Sequence, residues 1–582
     1  MAATIKQAIQ AHQRGDLGEA ERLYRQLIAS QVAKPSVFQN LGALLREQGK
    51  IPEALSIYKL GLDVCPKDPG ILANRANIYK DSKPATALFD IFDALKANPS
   101  LVNSWVTAIA ILVDFDCKDY ALHVAKQSLL AGCADTRLII QILDLLGRCA
   151  DRTSPILKTK LHLQILQSLQ NVTATLPVTQ RIDTLLAIAF HCADQGFSEQ
   201  STSFYHQALR LLPLQSDQLQ LAERKKIQSL ITSHSWNMAC MLLKEEEFAQ
   251  GWKLYDYGLR TPSKSPQQWQ RALRKPFSIK QVPIWRGEPL EGKHLLVLEE
   301  QGIGDSMMFL TLLPTILSEA ESVDLIVGER LEPIYRRVFT GQARVWTHHE
   351  FEDQTFNPAT FAFQTALGSI PQYRFTTIDC YAPKVPLLTI SPSHVSRLRQ
   401  NYLDQVGAAA STKLIGVSWS GGGTKSRVKA KSMPVALFQE LLKGANNTIF
   451  VSLQYGDVAQ RVEAWKSQGI PIIHDPDIDA LLDMDSWLQQ VAACDAIVSV
   501  ANTTIHGAGS LNIPTMCLLC EPSDWRWLRG SAIQRSYWYP SVGIARQSVS
   551  GDWQPAVDST LQWINDDCPM PCGPYSNQPA IE

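Results

Sequence analysis

Five short stretches of this sequence place chemically capable side chains at the ends of apolar runs. In HLLVLEEQGIGDSMMFLTLLP (His294–Pro314), Gly302, Gly304 and Asp305 join an apolar strand to an amphipathic helix. That order sets phosphates at a helix N-terminus, or one carboxylate in an open cleft. A dinucleotide fingerprint needs a glycine or alanine three residues after Gly304, where Met307 stands. Asp305 is left as a helix cap or as an acid–base group. In SWSGGGTKSRVKAKSMP (Ser418–Pro434), three glycines precede Lys425, Arg427, Lys429 and Lys431. Glycines let backbone approach a phosphate and the cations neutralise it; a solvated charge run is the alternative. In SVANTTIHGAGSLNIPT (Ser499–Thr515), Asn502, Thr503, His506 and Gly509 begin a helix whose free N–H groups suit a diphosphate. Asp483 and Asp485 precede another helix, as caps or as ribose ligands. Trp525 and Trp527 in EPSDWRWL either pack beneath a cleft or line it for a base or sugar.

These groups require parallel strands to position them. Apolar runs at Leu295–Leu298, Val323–Val327, Leu414–Trp419, Ile449–Leu453, Pro471–Ile473, Ala496–Val500 and Thr515–Leu519 alternate with helical stretches. Short buried strands separated by helices read as βαβ units, which bind ligands outside the carboxyl ends of their strands. The irregular segment 370–411 divides the strands into two sets. We therefore expect two doubly wound, Rossmann-like lobes, at 291–410 and 411–565, after a linker at 261–290 and before a tail at 566–582.

The first half repeats. Gly15, Ala20 and Tyr24 recur 34 residues on as Gly49, Ala54 and Tyr58; Ala8, Gly42 and Ala76 keep the same offset, and Phe92 follows Tyr58. Pro66 and Pro99 close successive units. Small residues where helices cross, with an aromatic in the second helix, give the tetratricopeptide pattern. The spacing returns at Gly196, Tyr205 and Pro213, and at Asn237, Gly251 and Tyr255. Residues 1–260 are expected to form an α-solenoid of six or seven helix pairs. Its concave surface would hold a protein or extended glycan acceptor, or the array would serve as a support or homodimerisation module.

Composition limits the partners. Lys plus Arg number 55 against 56 Asp plus Glu, so no global charge favours nucleic acid or an anionic membrane. The polar start MAATIKQAIQAHQRGD lacks a signal-peptide core, and no apolar run is long enough for a span; a cytoplasmic protein is expected. Twelve cysteines are scattered from Cys65 to Cys572 without metal spacing, so they read as reduced and structural, with no metal and no cofactor.

EEQGIGDSMMFLTLLP, GVSWSGGGTKSRVKAKSMP and IVSVANTTIHGAGSLNIPT resemble the signature segments of family 9, heptosyltransferase-like glycosyltransferases. VPIWRGEPLEGKHLLV (Val282–Val297) and DWRWL resemble the bacterial subgroup fused to tetratricopeptide repeats. The organisation is also similar to the O-linked N-acetylglucosamine transferase class. The resemblance implies a GT-B fold and inverting, metal-independent transfer from a nucleotide-sugar donor. It implies Asp305 as general base, Lys425 or Arg427 as the basic diphosphate ligand, and Asn502, Thr503 and His506 as the segment holding the donor phosphates. Gly304 and Gly509 accompany these as donor-side positions. The sequence departs from the family where an Asp-Thr pair is replaced by Ala501-Asn502. That puts a heptose donor in doubt and keeps open a non-catalytic repeat scaffold with a degenerate transferase domain.

Overall fold

The computed structural model describes residues 4–30, 34–149, 155–195, 197–211, 234–259, 271, 275–381, 388–422, 428, 431–521, 523–530, 534–548 and 551–575. The chain packs as two compact units, Met1–Ile227 and Gln228–Glu582.

The first unit contains twelve helices among the described residues, most of them paired with the next in sequence. Ile5–Gln13 packs on Leu17–Ala29, Pro35–Glu47 on Ile51–Val64, and Pro69–Tyr79 on Pro84–Ala97. Proline opens several of them at the first turn, where no N–H partner is lost. The repeat's small residues lie at the crossings. A Cβ on Gly42 would come within 2.1 Å of the Tyr58 ring, which is fully buried. Phe92 departs from the expected pattern: it is 41% exposed, and Ile91 takes the buried place. The third unit is one residue shorter, so Ala54 and Tyr58 correspond to buried Ala87 and Ile91, as Pro66 does to Pro99. Tyr205 is buried as its spacing implies, whereas Gly196 and Pro213 lie outside the described residues.

The second unit begins with two helices, 234–244 and Phe248–Tyr255, which keep the repeat spacing. They nonetheless pack within this unit rather than ending the first. Trp252 lies 6.0 Å from Phe309 and 5.5 Å from Trp525, and Phe248 lies 5.3 Å from Tyr381, ring centre to ring centre. The segment read as a linker also enters the core. Arg271 is buried, and its guanidinium pairs with Glu300, Asp256 (2.6 Å) and Ser369 (2.9 Å).

Two all-parallel sheets follow. The first has the order β3-β2-β1-β4, from β1 (His294–Leu298), β2 (Ser322–Val327), β3 (Arg344–Thr347) and β4 (Phe363–Ala366). The second has the order β10-β9-β8-β5-β6-β7. Its strands are β5 (Lys413–Ser418), β6 (Thr448–Ser452), β7 (Ile472–Ile473), β8 (Ala496–Val500), β9 (Thr515–Leu519) and β10 (Val542–Arg546). This is the expected pair of doubly wound lobes. β1 and β5 run through the middle of their sheets as apolar strands buried from both faces. Strand order reverses beside β1 in the first sheet and between β5 and β8 in the second, and ligand crevices form at such points. The segment 370–411 is not irregular throughout, because Pro392–Gln405 is helical.

Candidate functional site

The two switch points meet through a pair of helices. Ile303–Leu310 follows β1, and Thr503–Ser510 follows β8. Gly304 sits where they press together. A Cβ there would come within 2.8 Å of the His506 ring. His506 is itself buried, with Nδ1 3.1 Å from the Tyr539 hydroxyl. Burial disfavours the imidazolium and pushes its pKa down to about 4. His506 is therefore a neutral wedge between the lobes. Gly509 has a similar packing reason: a Cβ would strike the Tyr539 ring at 2.4 Å.

Asp305 lies on the first turn of its helix. One carboxylate oxygen, Oδ2, accepts a long cap bond from the Gly302 N–H at 3.4 Å. The other, Oδ1, accepts from Arg526 Nε at 2.7 Å and from a terminal nitrogen of the same guanidinium. Arg526 belongs to the loop after β9, and its guanidinium carbon lies over the Trp525 ring, 4.5 Å from its centre. Its terminal nitrogen Nη1 lies 3.5 Å from Asp524 Oδ2, and Asp524 accepts from Lys431 Nζ at 2.9 Å. Lys431 ends the basic glycine segment. Four charges of alternating sign thus run from Asp305 to Lys431 and connect both lobes. Each side chain keeps between 16% and 20% of its surface exposed, so the row is not sealed from solvent. Burial would raise the Asp524 pKa, but Lys431 and Arg526 outweigh it and hold the carboxyl well below the usual range. Burial likewise opposes the charge on Arg526, yet Asp305 and Asp524 raise its pKa. Asp524 and Arg526 thus each favour the charged form.

Asn502 caps the Thr503 helix and ties it to the glycine turn. Its Oδ1 accepts from Thr504 N–H at 2.9 Å and from Ser499 Oγ at 3.1 Å. Its Nδ2 donates to Ser418 Oγ at 2.7 Å and to the Ser420 carbonyl at 3.1 Å. Every hydrogen-bonding position of the amide is used internally. Gln454 completes this corner by accepting from the backbone N–H groups of Trp419 (3.0 Å) and Ser420 (2.8 Å). Asn502 therefore positions the turn rather than presenting a free amide to a ligand.

Beside these groups lies a cavity of about 280 Å³. Ile303 and Arg330 line it from the first lobe; Tyr455, Trp487, Thr503 and Thr504 line it from the second. Its size and mixture of apolar wall and hydroxyls suit a small organic ligand. One rim is closed by contacts between lobes. Arg337 donates to both oxygens of Asp485, at 2.6 and 3.1 Å, and Arg330 donates to the Ala480 carbonyl. Asp485 is thus engaged by Arg337, and Asp483 caps its helix. Trp525 is in the core, stacked near Phe309 at 6.2 Å, not facing the cavity.

Lys425 and Arg427, expected as diphosphate ligands, lie outside the described residues. The sequence reading missed Asp524 and Arg526. It weighed the tryptophans of DWRWL and passed over the charges between them, although an acid and a base directly after a strand were a visible signal. Glu299 was also missed. Burial raises its pKa, against hydrogen bonds from Ser306 and Gly328 N–H. Among the described residues no group of acidic, histidine or cysteine side chains is arranged to hold a metal ion, and no helix is long and apolar enough to cross a membrane.

No model of a protein family matches the chain. Protein FlbA of Caulobacter vibrioides is 28% identical over 343 residues, covering 56% of this chain and 54% of that protein. The chain thus spans about half the length of that curated relative. A glycosyl transferase family 9 structure from Veillonella parvula aligns over 49% of this chain and 99% of its own, with 11% identity and a TM-score of 0.36. A MamA crystal structure aligns over 29% of this chain and 91% of its own, with 12% identity and a TM-score of 0.24.

Proposed function

We propose that the second unit is a glycosyltransferase domain that moves a sugar from a nucleotide-sugar donor to an acceptor hydroxyl, and that the repeats recruit the acceptor, a protein or a glycan. The observation carrying this reading is the row Asp305–Arg526–Asp524–Lys431, set beside a cavity at the switch points of two parallel sheets. Transfer needs a base for the attacking hydroxyl and cations for the departing diphosphate. Asp305 is the base in this reading, with Arg526 and Lys431 as the cations. One in-line displacement inverts the anomeric centre, and the two side-chain cations supply the charge that a metal ion supplies elsewhere. The cavity takes the nucleoside, with Thr503 and Thr504 at the helix start directed to its phosphates.

One observation favours a second reading, the non-catalytic scaffold: Asp305 is already engaged by Arg526. Calorimetry with UDP, GDP and ADP separates the two. A transferase binds at least one of them in the micromolar to millimolar range, whereas a scaffold that has lost its donor site binds none.

A further inference from the structure

The charge row has a property that the transferase reading alone does not explain. Oδ1 of Asp305 accepts two hydrogen bonds from one guanidinium. A carboxylate oxygen held in this way is poorly placed to take a proton from an acceptor hydroxyl. Among the described residues, however, the hydrogen-bond and ion-pair partners of the guanidinium are carboxylates. A diphosphate offers it more negative charge and the same forked geometry.

We propose that Arg526 is exchanged between Asp305 and the donor diphosphate: a diphosphate entering between Arg526 and Lys431 draws the guanidinium onto itself and leaves Asp305 free to act as base. This inference rests on the transferase reading and adds an order to it, donor before proton transfer. The movement is confined to one side chain, because the backbone of its loop is pinned. Arg529 N–H donates to the Lys244 carbonyl at 3.0 Å, and Lys244 Nζ donates to the Ser523 carbonyl at 3.0 Å. The Trp525 ring, fixed in the core, gives the guanidinium a flat surface to slide over. In the step that follows, the acceptor oxygen bonds to the anomeric carbon as the bond from that carbon to the phosphate oxygen breaks. The electron pair leaves on the diphosphate, now held by Arg526 and Lys431, and the hydroxyl proton passes to Asp305. No oxidation or reduction occurs.

The exchange makes an unusual demand on binding. Asp305 competes with the ligand for Arg526, so removing its charge strengthens diphosphate binding, and only through Arg526. The test is calorimetry on the full chain with UDP, GDP, ADP and inorganic pyrophosphate. Asp305→Asn is expected to bind its preferred nucleotide about fivefold tighter than wild type, or more. Arg526→Gln is expected to bind more weakly, and Asp305→Asn to bring no gain when combined with it. Asp524→Asn removes the second competing carboxylate and is expected to tighten binding likewise, so the test survives if Asp305→Asn does not fold. Unchanged or weaker binding by these variants overturns the exchange. So does a gain that persists in the Arg526→Gln background, which would mark simple charge repulsion. If wild type binds none of the four ligands, the transferase reading falls and the exchange with it; if wild type binds but the variants do not tighten, only the exchange falls.

Discussion

At the scale of single residues, the amide at position 502 has a local explanation. The Asn502 amide donates to the Ser420 carbonyl, which a carboxylate cannot do. Asn502→Asp would set a negative charge against that carbonyl and free the glycine turn. We expect a loss of about 1–3 kcal/mol in a denaturant titration, with weakened nucleotide binding. His506 gives a pH prediction. Its pKa falls from 6.5 in the unfolded chain to about 4 in the fold, so the unfolded state binds more protons between those values. Its contribution is fully present above about pH 6.5 and declines as pH falls towards about 4, by about 3 kcal/mol in total. The melting temperature should fall as pH is lowered through this window, and His506→Gln should flatten that part of the dependence.

At the scale of elements, the strands most visible in the sequence are those buried on both faces. β1, β5, β6, β8 and β9 read as apolar runs because their buried positions are mostly apolar, interrupted by small residues such as Thr448, Ser499 and Thr515. β3, β4 and β10 did not, because each contains a polar residue whose partners lie outside its own strand. Arg344 pairs with Asp324 at 2.6 Å, Gln364 donates to the Val282 carbonyl at 2.6 Å, and Arg546 donates to the Leu528 carbonyl at 2.7 Å. The candidate site divides the same way. Asp305 and the Asn502 helix start were legible as local strand–turn–helix patterns. The Arg526 contact spans 221 residues, and no local pattern encodes it. Glycine spacing was legible, but its reasons were steric. Gly42→Ala should therefore cost the first unit about 1–3 kcal/mol by pushing on Tyr58, read as a lower melting temperature for that unit alone. Gly304→Ala should lower stability by about 1 kcal/mol, the clash with His506 exceeding the gain in helix propensity.

At the scale of the whole molecule, two helices with repeat spacing belong to the second unit, not the first. Trp252 and Tyr255 are buried among Phe309 and Trp525, and Asp256 joins the buried Arg271 pair. A chain cut to begin at residue 228 is expected to fold and keep nucleotide binding. One cut to begin at residue 261 loses that aromatic core and is expected to aggregate or to lack a cooperative melt. The near balance of charge over the whole chain says little about this site, where four charges are gathered within one row. In the proposed reaction Asp305 is the base, and the measurement that decides it is the release of nucleoside diphosphate from a panel of nucleotide sugars by wild type and Asp305→Asn. We predict release from at least one donor by wild type and a loss of about 100-fold or more in the variant. Release by neither protein, or equal release by both, would contradict it.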